Sequence, residues 1–389
     1  MIKGSFPLKA FKALETPFYY YDIDLLKRTL ETVKAESGKY GYHVHFAIKA
    51  NANPHILSVI AGYGLGADCV SGGEIRAALD AGFPADKIVF AGVGKADWEI
   101  NLGLDNDIFC FNAESSAELD ILDELAAAKG KIASVALRIN PDVDAHTHAK
   151  ITTGLKENKF GINLSMLDGV LEQLTKLKHL KLIGIHSHIG SQITDMSAFR
   201  ALAVRMNEVQ EKLDTRGLHV EHINFGGGLG IDYHHPNHIP VPAFADYFAA
   251  FRQLLKLRPG QQVHFEPGRS LVAQCGSLIS KVLYVKEGEV KKFVILDAGF
   301  TELIRPAMYD AYHYIENLDS DGQTETYDVV GPICESADVF GKDVELNKTR
   351  RGDLLAFRSA GAYGEVMASQ YNRRRLPKAY YSDENGFEA

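Results

Sequence analysis

The sequence has no run approaching the roughly eighteen uninterrupted apolar residues that a membrane span requires, which excludes a helical integral membrane protein. Its opening, MIKGSFPLKAFKALETP, lacks the apolar core of a secretory signal, so the expected compartment is the cytoplasm. Cysteine is scarce. The four residues Cys69, Cys110, Cys275 and Cys334 are scattered without CxxC spacing, which argues against a disulfide framework or a zinc knuckle. Basic clusters are missing as well: Lys and Arg total 42 against 50 Asp and Glu, a net charge of -8, and the longest basic run is Arg373-Arg374-Arg375. Such a chain offers no footing to a nucleic acid or an anionic membrane, and an anionic substrate would need local arginines.

What is present is the composition of a globular protein, 46% hydrophobic and 24% charged, in 389 residues, enough for one large domain with a second attached. Between Gly41 and Arg269 short apolar runs alternate with helix-like amphipathic segments. The runs are 43–48, 66–71, 87–91, 107–111, 132–139, 181–187, 220–224 and 262–266. Helices are predicted between them, among others over 114–129, where Glu114 and Glu118 suit the dipole of its start, and over 196–213. Eight strand-then-helix units predict an α/β fold, a (β/α)8 barrel. After about residue 271 the pattern turns β-rich, as in SLISKVLYVKE and KKFVILDAG, which predicts a β-sandwich or small barrel completed by the N-terminal Phe18-Tyr19-Tyr20-Tyr21. The expected division is therefore 1–35 with the β-domain, 36–270 as the barrel and 271–389 as the C-terminal β-domain.

Lys49 directly follows the first of these runs, where Val44, Phe46 and Ile48 alternate with His43, His45 and Ala47. A lone lysine at a strand end is commonplace. Its significance comes from Gly226-Gly227-Gly228 and from Glu266-Pro267-Gly268-Arg269 further on, because an amine, a run of backbone N–H groups and an acid are the parts a pyridoxal phosphate site needs. Lys49, Ser71, Arg138, His188, Gly226 and Glu266 would all fall at carboxyl ends of strands, where such a barrel carries its active site. Alone, the glycine triplet reads equally as a tight turn, and Glu266 as a strand-end ion pair. His186 and His188, two apart on a strand, face the same way, yet no carboxylate or cysteine at a supporting spacing makes them metal ligands. The clusters His146-Thr147-His148 and His234-His235-Pro236-Asn237-His238 also lack ligand spacing and read as surface loops. Cys334 by itself reads as a small buried hydrophobe or as a chemical thiol.

From TPFYYYD through FAIKANANP, GADCVSGGEI, HSHIGSQ, FGGGLG, EPGRS, IRPAMYDAYH and GPICESADVFGKD to GAYGEVMASQYN, the chain resembles the fold-type III pyridoxal phosphate decarboxylases, most closely those acting on meso-2,6-diaminopimelate. The resemblance implies decarboxylation of that substrate to L-lysine and a homodimer with two shared sites. Lys49 would carry the cofactor, His188 would stack on its ring, and Ser191, Gly226, Gly227, Gly228, Gly268, Arg269 and Tyr363 would surround its phosphate. Glu266 would face the pyridine nitrogen. Cys334, from the partner subunit, would return a proton to the substrate carbon, while Arg269, Arg305, Tyr309, Glu335 and Tyr363 would contact substrate. No metal is implied. The rivals are a decarboxylase of ornithine, arginine or carboxynorspermidine, an amino-acid racemase, and a non-catalytic cofactor-binding paralogue. Simple basic amino acids have no second carboxylate for Arg305 to hold. A non-catalytic paralogue should have lost Lys49, Glu266 or the cysteine loop, and a racemase would not be expected to carry GPICESAD.

Overall fold

The computed structural model describes residues 6–143, 159–385 and 387; His146 and His148 lie outside the described residues. The chain divides into two compact units. Met1–Thr29, Ile231–Pro242 and Arg269–Ala389 form one, and Leu30–Gly230 with Ala243–Gly268 form the other. The segment 231–242, which the sequence expectation kept in the barrel, goes with the first unit. Long-range hydrogen bonds fasten it there: Arg269 donates to the Tyr233 hydroxyl at 2.6 Å and Arg358 to Asn237 at 2.9 Å. Among the described residues no helix is long and apolar enough to cross a membrane.

In the first unit the short helix Leu8–Phe11 precedes β1 (Phe18–Tyr21). In the second unit β2 (His43–Ala47), β3 (Gly66–Cys69), β4 (Ile88–Phe90), β5 (Cys110–Ala113), β6 (Ala133–Asn140), β8 (Leu180–His186), β9 (His222–Asn224) and β10 (Gln262–Phe265) are parallel and close into a barrel. Their order is β5-β4-β3-β2-β10-β9-β8-β6, and β6 returns to β5. The two-residue β7 (Ile162–Asn163) pairs in parallel with the end of β6. The run predicted over 107–111 starts later, at Cys110, because Asp107 takes a left-handed conformation (φ 50°) as the preceding helix ends. Several helices start beyond a strand's carboxyl end under a side-chain cap. Ser71 accepts from Glu74 N–H at 3.1 Å, Ser115 from Glu118 N–H at 3.2 Å, and Asp195 from Ser197 N–H at 2.8 Å. Strand carboxyl ends and helix amino ends thus share one rim. The helix over 114–129 accordingly runs Ser116–Ala128, and Glu114 stays outside it as the partner of Arg138.

The ends of β9 and β10 are fixed by aromatic packing. The helix Phe244–Arg252 sets Phe251 against Phe225 (centroids 4.5 Å apart) and Phe248 against Phe265 (5.1 Å), each pair worth ~0.5–1.5 kcal/mol beyond the area it buries. Truncating the fully buried Phe251 to Ala would cost ~3–5 kcal/mol and loosen both strand ends. At the other end of the barrel a chain of imidazoles fills the interior. His45 Nδ1 lies 3.0 Å from the Lys87 carbonyl, which only accepts, so Nδ1 carries the proton and Nε2 accepts from His264 Nδ1 at 2.9 Å. His264 Nε2 then accepts from His222 Nδ1 at 3.0 Å. Burial holds His45 down to about 4, against the opposing charge of Glu266.

In the first unit β11 (Gly276–Glu287) is the hub. It pairs antiparallel with β1, with β12 (Lys292–Leu296) and with β16 (Leu354–Phe357). The β13 (Ile315–Asn317), β14 (Thr324–Val330) and β15 (Val339–Asn347) strands extend the sheet in the order β13-β16-β11-β12-β14-β15, and β17 (Lys378–Tyr381) pairs with β1. Phe18 opposite Ile279 and Tyr21 opposite Gly276 show how the N-terminal segment completes this unit.

Candidate functional site

Lys49 follows β2 within the single 3-10 turn Ile48–Ala50. Its neighbours Ile48 and Ala50 are buried while Lys49 itself is exposed at the strand's carboxyl end. Three carboxyl groups feel its charge: Asp68, Glu74 and Glu266. Asp68, on β3, is buried with Oδ1 lacking a hydrogen-bond partner. Burial, and then the negative Glu266, push its carboxyl well above the usual range.

Glu266 is buried directly after β10, and three donors converge on it. Asn224 Nδ2 (2.6 Å) and Asn112 Nδ2 (3.3 Å) donate to Oε1, and His186 Nε2 donates to Oε2 at 2.9 Å. Burial opposes its charge, yet His186, by charge and hydrogen bond, together with His45 and Lys49, outweighs burial and holds the carboxyl at about 2. A carboxylate has about four acceptor positions, so an ionised Glu266 retains room for one more donor. His186 Nε2 is thereby committed to Glu266.

The glycine triplet turns immediately beside that acid. Gly226 has φ +63°. A Cβ on Gly227 would lie 2.2 Å from the Glu266 carbonyl oxygen, so the turn approaches the β10 end more closely than any side chain permits. Gly227 N–H points at His188 Nδ1 (3.3 Å), which makes His188 an acceptor there. Burial, then the positive charges of Lys49 and Arg138, keep this histidine neutral. Ser191 is half-buried in the loop after β8, and Gly268 packs tightly beside Ala47 and Ala50. Arg138 is buried in an ion pair with Glu114 at 2.6 Å.

In the other unit Arg269 and Arg305, both buried, flank Tyr233. Arg269 Nη1 donates to its hydroxyl at 2.6 Å, and the Arg305 guanidinium lies 4.9 Å from the ring centroid. Arg305 also donates to His313 Nε2 at 2.7 Å. Tyr363, in a left-handed conformation (φ 57°), lies under the Arg269 guanidinium at 5.0 Å. Tyr309, half-buried, ends the short helix Arg305–Tyr309. Cys334 and Glu335 are exposed on a loop whose centre is Asp338, which accepts from Ile333 N–H and Phe300 N–H, both at 2.7 Å. Cys334 is thus no buried hydrophobe. Glu335 accepts from the Tyr371 hydroxyl at 2.6 Å, and among the described residues no hydrogen bond or ion pair joins either residue to Arg305. The histidines after Asp232 form a surface loop, capped by that aspartate, in which His234 stacks on Tyr312 at 4.2 Å.

Asp68, Asn112, Asn224 and Tyr233 were not among the residues expected from the sequence. Only Asn224 carried a local signal: an asparagine two residues before a glycine is the signature of an Asx turn. The barrel set fits pyridoxal phosphate on its chemistry. An exposed amine can condense with an aldehyde, an ionised buried acid has room for one donor, and the glycine turn is one that a Cβ would fill. The unpartnered oxygen of Asp68 is a further polar group for such a ligand to satisfy.

The family described as pyridoxal-dependent decarboxylase, pyridoxal binding domain, matches residues 24–273. A diaminopimelate decarboxylase of Bacteroides thetaiotaomicron is 65% identical, over 98% of this chain and all of its own length. One from Zymomonas mobilis is 46% identical over 93% of this chain and 86% of its own. Among solved structures, diaminopimelate decarboxylase from Helicobacter pylori complexed with L-lysine is similar with a TM-score of 0.90 and 38% identity, over 96% of this chain and 93% of that one. The Methanocaldococcus jannaschii protein gives 0.91 and 37%, over 97% and 90%.

Proposed function

The chain belongs to the pyridoxal-dependent decarboxylases, and we propose that within this family it converts meso-2,6-diaminopimelate to L-lysine and carbon dioxide. The observation that carries the chemistry is Glu266, a buried carboxylate kept ionised by three donors beside a glycine turn and within the field of Lys49. The substrate rests on near full-length likeness to proteins named for it. When bound, pyridoxal phosphate supplies an electron sink for the charge left on the substrate α-carbon as carbon dioxide departs.

In this reading Lys49 Nζ would hold the cofactor, as the amine that can condense with its aldehyde. Ionised Glu266 would keep a proton at the pyridine nitrogen, and neutral His188 would pack against the ring. Backbone N–H groups of Gly226, Gly227, Gly228, Gly268 and Arg269, with the Ser191 and Tyr363 hydroxyls, would bind the phosphate. Arg305 forks onto the distal carboxylate, Glu335 meets the distal ammonium, and Arg269 and Tyr309 line the substrate. Cys334 Sγ donates a proton to the α-carbon. Its exposure on a loop supports a homodimer in which each thiol serves the partner's site. The proposed compartment is the cytoplasm.

The test is purified protein with cofactor and meso-diaminopimelate, scored for lysine and carbon dioxide beside ornithine and arginine. Turnover of diaminopimelate with strong preference supports the proposal, and equal kcat/KM for ornithine refutes the substrate assignment.

A further inference from the structure

We propose that Asn224 is a positioning residue that locks the acid of the cofactor site to its glycine turn, through the two ends of one amide. The inference rests on the pyridoxal phosphate reading above. Asn224 ends β9 and is buried. Its Nδ2 donates to Glu266 Oε1 at 2.6 Å, while its Oδ1 accepts from Gly226 N–H at 2.9 Å. The second contact is an Asx turn, which steers the chain into the positive φ of Gly226. The backbone closes the same loop from the other side: Phe225 N–H donates to His264 O at 3.0 Å and Glu266 N–H to Gly226 O at 2.8 Å.

One planar group therefore sets the distance and orientation between the carboxylate and the first glycine of the triplet. Asn112 reaches the same oxygen at 3.3 Å but does not touch the turn, and His186 serves the other oxygen. The side chain must donate at one end and accept at the other over this length, and asparagine does both. An aspartate would keep the turn but place a second carboxylate against Glu266 at hydrogen-bond distance. Buried acids that close share a proton, so Glu266 would no longer be ionised throughout the neutral range. Leucine, with the same branched skeleton but no polar atoms, would remove both contacts.

The experiment compares the parent with Asn224→Asp and Asn224→Leu by equilibrium binding of pyridoxal 5'-phosphate, by pH titration of the bound cofactor's absorption, and by hydrogen exchange over 225–228 in cofactor-free protein. Loss of hydrogen bonds of this kind, one to a charged acceptor, should slow neither folding nor assembly but weaken cofactor binding roughly tenfold or more in both variants. Asn224→Asp should also acquire a titration near neutral pH that the parent lacks, which a merely structural defect would not produce. Asn224→Leu should exchange over 225–228 roughly tenfold faster. Parent-like affinity, titration and exchange in folded variants would overturn the role of Asn224 and leave the decarboxylase reading standing. A parent chain that takes up no cofactor would overturn that reading and the proposal with it.

Discussion

Gly227→Ala turns the closest approach in the site into a measurement. The added Cβ would start 2.2 Å from the Glu266 carbonyl oxygen and 3.0 Å from its carbonyl carbon, so the gap must open to at least 3.0 Å. The obstacle is backbone, and no rotamer change relieves it. Opening the gap stretches the 2.8 Å bond from Glu266 N–H to Gly226 O and draws the carboxylate from the 2.6 Å donor on Asn224. Overpacking of this kind costs ~1–3 kcal/mol. Without cofactor the turn can relieve the strain by leaving its position, so the cost should appear as a loss of roughly 5- to 150-fold in affinity for pyridoxal phosphate. Gly169→Ala is the control, since Gly169 lies in the helix Leu167–Leu174 with nothing within 4 Å of its added Cβ; it should leave affinity unchanged and stabilise by up to ~1 kcal/mol. Equilibrium titration monitored by cofactor absorbance, with thermal melts, reads both. A Gly227→Ala protein that binds cofactor within twofold of the parent would refute the reasoning.

Mixing inactive Lys49→Ala with inactive Cys334→Ala should restore about a quarter of parental activity if each site borrows its thiol from the partner and subunits exchange freely. No recovery after demonstrated exchange would put both residues in one chain's site. Arg305→Ala should lower kcat/KM for diaminopimelate steeply and narrow its advantage over lysine, read from competing-substrate kinetics, because the distal carboxylate loses its fork; an unchanged ratio would remove Arg305 from recognition. For His45, held at about 4 against an ordinary value of 6.5, the unfolded chain binds the proton first as pH falls. Stability is therefore full above 6.5 and declines between 6.5 and 4, with His313, lowered to about 3, acting in the same direction. Tm should fall across that window and fall less in His45→Phe; a flat Tm in the parent would contradict the neutral imidazole chain.

The barrel was legible because its signals are local. Short apolar runs such as Ile88–Phe90 and cap residues such as Ser71 and Ser115 declare strand and helix ends without reference to distant partners. Lys49 and the glycine triplet were legible for the same reason, each sitting where a strand stops. What escaped depends on contacts across the sequence. Glu114 beside a capping serine looks like a helix-dipole acid, yet its partner is Arg138, which only the folded barrel brings within 2.6 Å. Asp68 reads as an ordinary strand residue until burial and Glu266 raise its pKa. Segment 231–242 carries no mark of its unit, since the bonds from Arg269 and Arg358 that hold it come from far along the chain. Cys334 could be read as buried because a thiol's burial is decided by its loop, and here Asp338 takes the interior position.

The central claim is that Lys49 carries the cofactor, and borohydride reduction of the loaded protein followed by peptide mapping tests it most directly. The loaded protein should be yellow, with an absorption band abolished by reduction and the fixed pyridoxyl group on Lys49 alone. An adduct on another lysine, or a Lys49→Ala protein that still turns over repeatedly at the parental rate, would contradict it.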